Sequence, residues 1–481
     1  MKPALLTLVA ASLALPCAAQ TIPQLLPLAR TDFCYVPEPS SDQVFRLIDL
    51  DLDGDFDAPG EVSVFYNDVQ GAFPLTNCNG VTVDLFGRVF VSDSSEERIF
   101  RLVDLDGDGS CHDAGECTVW FDGKGGTGSG ILLASPANLV ADAQGALWVA
   151  SAGDGANPVD SVVRLFDANF DGDANDAGEA VEYFKPAPGG AGGASIPQDV
   201  AIGQDGRLYL LDVPSAGTNP KGVYRLDDLN VSGVIDQPSE VTVFFAPPAQ
   251  PLNAFFWGLT IDAQGWFYMA DTMNELVWRF RDVDGSGAVD QANEFSIWWQ
   301  NPNGSLIWRL APASDGSLLA AESEAPDRIL RLADLDNSGS VDPLTETATL
   351  WVDTIGGPDI VNPRSIALGR SATIATNPSP SIGSSTNVTV FATWGDLVQL
   401  YYSGAQIAPL PLAPFGFIEL DPVASFGLLT AGVIGQFTPV SVVVNVPNNP
   451  NLIGASVYLQ AVAGQPVLLR LGAVQQVTFQ P

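Results

Sequence analysis

A segment of sixteen residues occurs six times in this sequence, each time with an Arg and an apolar residue at its start, an acidic stretch around one Gly, and a Glu at its end. The copies are RLIDLDLDGDFDAPGE from Arg46, RLVDLDGDGSCHDAGE from Arg101, RLFDANFDGDANDAGE from Arg164, RLDDLNVSGVIDQPSE from Arg225, RFRDVDGSGAVDQANE from Arg279 and RLADLDNSGSVDPLTE from Arg331. Successive copies begin 52 to 63 residues apart. Self-similarity at this spacing predicts one supersecondary unit that is repeated and packs on its neighbours.

Four short strands are predicted in each repeat, because β-rich runs alternate with Gly turns between the acidic stretches. In the second repeat we expect strands at 81–84, 88–93, 98–104 and 117–121, with the acidic stretch joining the third strand to the fourth. Four-stranded antiparallel units at this spacing are typical of a β-propeller, whose radial packing protects the sheet edges.

Counting strands predicts how the ring closes. The first repeat lacks an innermost strand, and a strand-like segment at 363–369 remains after the sixth repeat. We therefore expect an all-β protein with a six-bladed propeller at 32–374, closed by pairing of its two ends. A linker rich in Pro and Ser follows at 375–387, and alternating apolar runs predict a β-sandwich domain at 388–481.

The charge of the chain indicates which partners it can have. It has 56 acidic and 20 basic residues, and its formal net charge is -36. Such a charge repels nucleic acids and anionic membranes, and no later stretch is long and apolar enough for a membrane span. The six acidic stretches contain 28 of the 56 acids. This concentration favours cations as partners.

The first nineteen residues have the pattern of a cleaved secretory signal peptide. Lys2 precedes an apolar run at 4–15, and small residues lead to a predicted cleavage site near Ala19. A lipid anchor at Cys17 is disfavoured, because Pro16 stands where a small residue is expected. The mature chain is therefore expected to be soluble and either secreted or at the cell surface.

Four cysteines remain after that cleavage, and an even number in an oxidising compartment favours disulfides. The short spacing of Cys111 and Cys117 predicts a local bridge across the second acidic stretch, which leaves Cys34 to pair with Cys78. A soft-metal site is the rival interpretation, but His112 is the only histidine and no CxxC pair is present.

Each acidic stretch, called an acidic loop below and numbered 1 to 6 in chain order, carries oxygen donors at fixed positions counted from its first Asp. Positions 1, 3 and 5 are Asp49, Asp51 and Asp53; Asp104, Asp106 and Asp108; Asp167, Asn169 and Asp171; Asp228, Asn230 and Ser232; Asp282, Asp284 and Ser286; Asp334, Asp336 and Ser338. An Asp follows at position 9 or 10, and a Glu at 13: Asp57 and Glu61, Asp113 and Glu116, Asp176 and Glu179, Asp236 and Glu240, Asp290 and Glu294, Asp342 and Glu346.

These loops suit calcium, because Ca²⁺ takes about six to eight oxygen ligands and a Gly at position 6 permits the bend that brings alternate residues together. Clustered carboxylates also repel one another unless a cation offsets their charge. We expect several structural Ca²⁺ ions, up to six, with the tightest binding in loops 1 to 3, where position 5 is a carboxylate. The alternative is that the loops are merely acidic, hydrated turns.

The acidic loops resemble the DxDxDG calcium loops of EF-hands and dockerins over about thirteen residues. They differ in one respect, because the closing Glu stands at position 13 where the EF-hand pattern has position 12. Whether this Glu binds the ion through both oxygens, or the Asp at position 9 or 10 replaces it, is open at the level of sequence.

Segments between the loops, such as RVFVSDSSEERIFRL and WFYMADTMNELVWRF, resemble NHL-repeat and gluconolactonase-like propellers. The resemblance covers about 340 residues, and its motifs are loose, so it supports the fold far better than an activity. A repeated structural ion pair is expected between the end of the second strand and the third strand: Asp93, Asp212 and Asp271 with Arg101, Arg225 and Arg279.

Gluconolactonase-like propellers hold a metal on the central axis through carboxylates and Asn, so the resemblance implies such a metal here. The residues at the start of the inner strands here, called the axial mouth below, are Asn79, Asn138, Gln198, Asp199, Trp257, Trp308, Arg309 and Arg364. They place amides, tryptophans and arginines around a single acid, which gives a central catalytic metal little support. Such a ring can bind a sugar or an anionic group, or it can simply fill the axis.

The leading hypothesis from sequence is an exported, calcium-stabilised, non-catalytic propeller that binds a glycan or a protein at a surface or in a matrix, with a monomer expected. The alternative is a metal-dependent lactonase or other hydrolase at the axial mouth. Catalysis by a Ser-His-Asp triad is disfavoured, because His112 lies inside an acidic loop, and no phosphate-binding Gly-rich loop is present.

Overall fold

The computed structural model describes residues 32–481 except 51–52, 85, 107, 126, 153–159, 186–195, 215–219, 249–253, 314–315, 325, 353–359, 371–372, 378, 393–396, 412–416, 434–439, 466–467 and 472–474. The signal peptide predicted at 1–19 lies outside these residues and stays a prediction. No helix in the described part of the chain has the length and apolar character needed to cross a membrane.

Residues 32–370 form six antiparallel blades of four strands each. In chain order the strands are β1 (Asp32–Glu38), β2 (Gln43–Leu47) and β3 (Val62–Asn67) in blade 1; β4 (Cys78–Val83), β5 (Val89–Asp93), β6 (Arg98–Leu102) and β7 (Cys117–Asp122) in blade 2; β8 (Pro136–Ala141), β9 (Leu147–Ser151), β10 (Ser161–Leu165) and β11 (Ala180–Phe184) in blade 3; β12 (Pro197–Ile202), β13 (Leu208–Asp212), β14 (Gly222–Leu226) and β15 (Val241–Phe245) in blade 4; β16 (Phe256–Ile261), β17 (Phe267–Asp271), β18 (Leu276–Phe280) and β19 (Phe295–Gln300) in blade 5; β20 (Leu306–Pro312), β21 (Leu318–Ser323), β22 (Arg328–Leu332) and β23 (Thr347–Val352) in blade 6; and β24 (Ala367–Arg370).

The ring closes through the strand that the first repeat lacks. β24 pairs antiparallel with β1 and becomes the innermost strand of blade 1, so that the sheet order is β24-β1-β2-β3. The innermost strands β4, β8, β12, β16, β20 and β24 contact one another in sequence around the axis. The prediction of an all-β, six-bladed propeller closed by its own ends is confirmed.

Each interface between successive blades has its own apolar core. The core between blades 6 and 1, for example, contains Phe45, Leu319 and Trp351, which are almost entirely buried. The alternating pattern of each strand supplies one side chain to each neighbouring interface, because successive residues of a strand point to opposite faces. The blades are therefore held mainly by packing against their neighbours.

The remaining strands form a separate all-β unit with its own core. They are β25 (Thr373–Thr376), β26 (Ser385–Phe391), β27 (Leu397–Ser403), β28 (Gln406–Pro411), β29 (Phe417–Leu420), β30 (Gly427–Val433), β31 (Val440–Asn445), β32 (Ser456–Gln465), β33 (Leu468–Leu471) and β34 (Gln475–Thr478). One sheet has the order β25-β26-β31, a second contains β30, β27, β32, β33 and β34, and β28 pairs with β29. Short 3₁₀ helices lie at Pro238–Glu240, Thr272–Asn274 and Pro450–Leu452.

The limits of this second unit differ slightly from those expected. The linker predicted at 375–387 overlaps the end of β25 and the start of β26, which pair with each other. A connection rich in Pro and Ser is present between these strands, but the first strand of the unit begins before it. The sequence pattern concealed this strand because β25 is only four residues long.

No disulfide joins the cysteines Cys34, Cys78, Cys111 and Cys117, all of which are buried. Cys34 lies in the core between blades 6 and 1, whereas Cys78 lies in the core between blades 1 and 2. Cys111 and Cys117 both fill the latter core as apolar side chains, and burial raises the pKa of the Cys117 thiol to about 12. The predicted bridges are not formed in this structure, because these side chains take packing positions in the blade interfaces.

Candidate functional site

All six acidic loops join the third strand of a blade to its fourth strand, as expected. The Gly at position 6 has φ between +88° and +104° in every loop, a conformation that side chains with a Cβ rarely adopt: Gly54, Gly109, Gly172, Gly233, Gly287 and Gly339. The N–H of this Gly donates to the carboxylate at position 1 over 2.8 to 3.0 Å. The position-6 Gly therefore makes the bend predicted for it.

The Glu at position 13 braces its own loop from inside. In loop 2, one carboxylate oxygen of Glu116 accepts the N–H of Leu105 (2.8 Å) and the other accepts the N–H of Asp113 (3.0 Å). The same arrangement recurs in all six loops, and the six carboxylates are 0 to 5% exposed. Because both oxygens accept backbone hydrogen bonds, this Glu holds the loop shape. In loops 3, 5 and 6 it also lies in a cluster with two Asp carboxylates.

Five of the loops bring three carboxylates within 4.8 Å of one another. The clusters are Asp53, Asp55 and Asp57; Asp104, Asp106 and Asp108; Asp171, Asp173 and Glu179; Asp282, Asp284 and Glu294; Asp334, Asp336 and Glu346. Asp51 lies outside the described residues. Sequence reasoning omitted Asp55 and Asp173, which occupy position 7, although their acidity alone could have drawn attention to them. No such cluster occurs among the described residues of loop 4, where Asn230 and Ser232 replace two carboxylates.

Each acidic loop also attaches its blade to the preceding blade. The residue at position 8 is buried, and its N–H donates to a carbonyl in the outermost strand of the preceding blade over 2.7 to 2.8 Å. These residues are Phe56, Cys111, Ala174, Ile235, Val289 and Val341. In loop 1, the N–H of Phe56 donates to the carbonyl of Leu350 in blade 6, across the seam where blades 6 and 1 close the ring. Clustered carboxylates and contact between blades are therefore combined in the same segment.

The repeated Arg of the third strand reaches toward the acidic loop of the next blade. Arg46 lies 3.4 Å from the carboxylate of Asp104, and Arg225 donates to the carbonyl of Gly287 (2.7 Å). The ion pair predicted between this Arg and the Asp at the end of the second strand is wrong. That Asp instead accepts backbone hydrogen bonds from the loop before its blade, as Asp93 does from Thr76 (2.6 Å).

At the axial mouth, Arg309 of blade 6 extends across the centre of the ring. Its guanidinium donates to the carbonyls of Val81 in blade 2 (2.8 Å) and Leu139 in blade 3 (3.0 Å). It also donates to Ser365 Oγ beside blade 1 (3.3 Å) and to Asp199 in blade 4 (3.2 Å). Arg309 closes the axis, and on its far side the inner strands enclose a channel of about 400 Å³.

Asp199 is fully buried, and both of its carboxylate oxygens accept hydrogen bonds. One oxygen accepts from the N–H of Val200 (2.8 Å) and from Arg309, and the other accepts from the N–H of Leu259 (2.9 Å) and lies 3.2 Å from Arg309 Nε. Burial raises the pKa of Asp199 to about 6, an effect that Arg309 and the two backbone groups only partly offset. Asp199 therefore positions Arg309 and is not a free base.

Above this pair, aromatic and amide groups form one contiguous set. The rings of Trp257 and Trp308 meet edge to face with centroids 5.1 Å apart, and the Arg364 guanidinium lies 3.8 Å from the centroid of Trp308. Asn138 donates to the carbonyls of Gln198 (3.2 Å) and Trp257 (3.5 Å). The structure thus brings together the mouth residues predicted from sequence.

Several buried polar atoms of the mouth have no hydrogen-bond partner within the described protein. They are Asn138 Oδ1, Gln198 Oε1, Trp257 Nε1 and Arg364 Nε, which are two acceptors and two donors. Asn79 is satisfied by Ser94 Oγ (2.9 Å). A buried polar atom without a partner is unfavourable by about 1–3 kcal/mol, so four in one contiguous set indicate a ligand or bound water there.

Two glycines that sequence reasoning missed allow this close packing. A Cβ on Gly80 would lie 2.5 Å from the carbonyl oxygen of Ala137, and one on Gly258 would lie 2.5 Å from that of Trp308. Each Gly directly follows a residue of the mouth, Asn79 or Trp257. Their repeated position directly after a mouth residue was the sequence signal for these glycines, since Gly inside a strand often marks a close approach of two backbones.

The mouth residues do not fit a divalent metal on the axis. Asp199 is the only carboxylate among the eight, and its oxygens are occupied by Arg309 and backbone N–H groups. Two uncharged amide oxygens remain, next to the positive charge of Arg364. Hard divalent cations need several oxygens with negative charge among them. No step of the chemistry below involves an axial metal.

No family model and no curated protein matches this chain. Among solved structures it is similar to a periplasmic gluconolactonase from Pseudomonas aeruginosa, at 16% identity over 86% of this chain and 99% of that one, with a TM-score of 0.42. It is similar to a gluconolactonase from Xanthomonas campestris, at 18% identity over 62% of this chain and 85% of that one, with a TM-score of 0.39. A virginiamycin B lyase from Staphylococcus aureus has 14% identity over 74% of this chain and 87% of that one, with a TM-score of 0.40.

The hypothesis of a non-catalytic binding or matrix protein is corrected by this comparison, since the solved structures that it finds are described as enzymes. The catalytic alternative agrees with them. Because their TM-scores lie below 0.5, they carry no argument about the reaction of this chain. The reaction has to be argued from the mouth residues themselves.

Proposed function

We propose that this protein is an exported hydrolase that acts on a lactone or related ester at the axial mouth, with the acidic loops as structural calcium sites. The observation that carries the proposal is the set of buried polar atoms without partners around Asn138, Gln198 and Trp257. A site with donors and acceptors left open on a rigid ring is suited to a small polar substrate.

In this mechanism the indole N–H of Trp257 donates to the carbonyl oxygen of the lactone. Water adds to the carbonyl carbon and loses a proton to solvent, the ring C–O bond breaks, and the released alkoxide takes a proton from solvent. Asn138 Oδ1 and Gln198 Oε1 accept hydrogen bonds from substrate hydroxyls or from the attacking water. The rigid strands hold these groups in place, so that little reorganisation is required as charge develops.

Arg309 and Asp199 support the mouth from below. Their hydrogen bonds to blades 1 to 5 fix the spacing of the inner strands, and the filled axis excludes bulk water from that side. Neither residue is free to transfer a proton. A lactone is a reactive ester, and its hydrolysis can be accelerated by positioning and by stabilisation of the oxyanion without a dedicated base.

The calcium proposal is supported by the carboxylate clusters in five loops. The clustered oxygens come from positions 1, 3, 5, 7, 9 and 13 of these loops. The shape of each loop is held by the Gly at 6 and the Glu at 13. The proposed role of the ions is structural, since the same loops bond successive blades to each other.

The test of the enzyme proposal is hydrolysis of D-glucono-1,4-lactone and a panel of other sugar lactones, followed by pH-stat titration. We expect turnover above the spontaneous rate. Trp257→Phe keeps the aromatic ring and removes the N–H, so kcat/KM should fall by roughly 10²-fold. The melting temperature should change little.

Trp266→Phe is the matched control, because it changes the same atoms in the same blade beside Arg279, away from the mouth. Its turnover should equal that of the unaltered protein. The proposal fails if no lactone of the panel is hydrolysed faster than in buffer, or if Trp257→Phe and Trp266→Phe reduce turnover equally.

A further inference from the structure

Arg364 is a half-buried cation without a counter-ion. It precedes β24, and its backbone N–H is bonded to the carbonyl of Pro37 (3.3 Å). Its guanidinium rests on the face of Trp308, 3.8 Å from the ring centroid, and its Nε has no hydrogen-bond partner. No ion pair joins it to a carboxylate of the described residues; Glu38 and Glu324 influence it only through longer-range charge interactions.

Two other arginines that are buried inside the propeller are paired with carboxylates. Arg309 contacts Asp199, and Arg88 contacts Asp84 at 2.6 Å. The chain has 56 acidic residues, so the protein itself has many carboxylates from which a partner for Arg364 could come. Arg364 instead presents an open guanidinium edge at the mouth, which indicates that the negative charge comes from a ligand.

The other groups of the mouth narrow the chemical class of that ligand. Asn138 Oδ1 and Gln198 Oε1 are acceptors without a donor among the described residues, and hydroxyl groups of a ligand would supply donors. The rings of Trp257 and Trp308 offer apolar surface of the kind on which a sugar ring packs. One guanidinium balances one negative charge, whereas a dianionic phosphate would leave excess charge in an acidic protein.

We propose that the axial mouth selects a hydroxylated ring that carries one carboxylate, as in a sugar acid, and that Arg364 binds this carboxylate. The proposal rests on the hydrolase proposed above, because it assigns the substrate class of the same site. The carboxylate that Arg364 binds is a second acid group, distinct from the ester that is cleaved.

A matched pair of lactones tests this selection. D-glucaro-1,4-lactone carries a free carboxylate beside the lactone, and D-glucono-1,4-lactone has an alcohol in its place. We expect kcat/KM to be roughly tenfold or more higher for the glucaro-lactone, as a charge-assisted hydrogen bond implies. The preference should weaken as the salt concentration rises.

Arg364→Gln should abolish the preference while leaving the melting temperature nearly unchanged, and Arg364→Lys should restore it in part by restoring the charge. Arg281→Gln is the control for net charge: it removes the same charge at Trp266, beside the acidic loops, and should keep the preference intact. Quenching of tryptophan fluorescence by D-glucuronate, compared with its methyl ester, gives a binding readout that needs no turnover.

The outcomes separate the two proposals. Hydrolysis of both lactones at equal efficiency, with equal binding of glucuronate and its methyl ester, overturns the role of Arg364 and leaves the hydrolase standing. Hydrolysis of neither lactone overturns the hydrolase. Glucuronate binding that is lost in Arg364→Gln but not in Arg281→Gln would still support Arg364 as the carboxylate site.

Discussion

The acidic loops and the axial mouth are built from the same blade repeat, yet they obtain their geometry in different ways. A loop is shaped by hydrogen bonds between residues within thirteen positions of one another. In loop 2, the N–H of Gly109 donates to Asp104, and Glu116 accepts the N–H of Leu105. The mouth is assembled from six blades, and one of its bonds joins Arg309 to Val81, 228 residues apart. The loops share the hydrogen bonds of their Gly and Glu, whereas the blades supply amide, acidic, aromatic and basic side chains to the mouth.

This difference separates the two proposed roles. Acidic loops repeated at the blade interfaces are suited to stability, because several of them can each contribute an increment. A single site on the axis is suited to recognition, because a ligand meets groups from several blades there. The two regions should therefore respond differently to chelators, to substitution and to pH.

Removal of calcium should have a large effect on the loops and little on the mouth. With a Kd on the order of 0.1 mM and about 1 mM Ca²⁺, each site contributes about 1.4 kcal/mol, so six sites contribute about 8 kcal/mol. Excess EDTA should then lower the melting temperature of the propeller by on the order of 10 °C. Differential scanning calorimetry with and without the chelator measures the shift.

Lactone turnover well below the melting transition should be unaffected by the same EDTA, since no mouth residue is arranged to hold a metal. EDTA that has been saturated with calcium serves as the control for ionic strength and chelator. An unchanged melting curve would contradict calcium binding in the loops. Lost turnover in a fully folded protein would place an essential metal at the mouth.

Substitution of Arg309 should destabilise the propeller more than most single changes. Arg309→Leu leaves the buried carboxylate of Asp199 without its cation, which is unfavourable by about 3–5 kcal/mol. The double substitution Arg309→Leu with Asp199→Leu should recover part of that loss, because no buried charge remains. Urea unfolding followed by tryptophan fluorescence measures both; equal stabilities of the single and double variants would contradict a buried ion pair.

The regular parts of the molecule could be predicted because their information is local. Strand counting predicted the pairing of β24 with β1, and the positions of Gly109 and Glu116 revealed a repeated loop. The second repeat shows the limit, since its first strand begins at Cys78, three residues before the predicted start. The dipeptide of Asn79 and Gly80 is of a type that is common in turns, but contact with blade 3 keeps both residues in the strand.

The partners of charged residues could not be predicted, because they come from distant blades. Arg279 was matched with Asp271 of its own blade by pattern, but it lies 3.9 Å from the carboxylate of Asp334 in the next one. Cys111 was assigned to a disulfide by its spacing, but it fills the apolar position 8 of its loop. Tertiary packing determines these roles, and the sequence of a single repeat does not indicate which residues of the adjacent blades it contacts.

Position 8 of an acidic loop should be sensitive to truncation, whereas position 4 should not. Phe56 at position 8 of loop 1 is 3% exposed and packs at the seam between blades 6 and 1, whereas Phe170 at position 4 of loop 3 is 66% exposed. Phe56→Ala should lower the free energy of unfolding by about 3–5 kcal/mol. Phe170→Ala, the matched control, should change it by less than about 0.5 kcal/mol. Equal effects in urea titrations would contradict the assignment of position 8 to the blade interface.

The pH dependence of stability should show that Asp199 differs from the carboxylates of the loops. Its pKa is raised from 3.8 to about 6 in the folded state, so the folded protein holds this proton more tightly than the unfolded chain does. The contribution of Asp199 to stability is therefore present below about pH 4 and is lost as the pH rises through about 6, by up to about 3 kcal/mol. The loop carboxylates are the same in Asp199→Asn, so their contribution cancels in the comparison. In saturating calcium, the free energy of unfolding of the unaltered protein should therefore exceed that of Asp199→Asn by more at pH 4 than at pH 7. A difference that does not depend on pH would place Asp199 in a hydrated environment rather than in the closed axis.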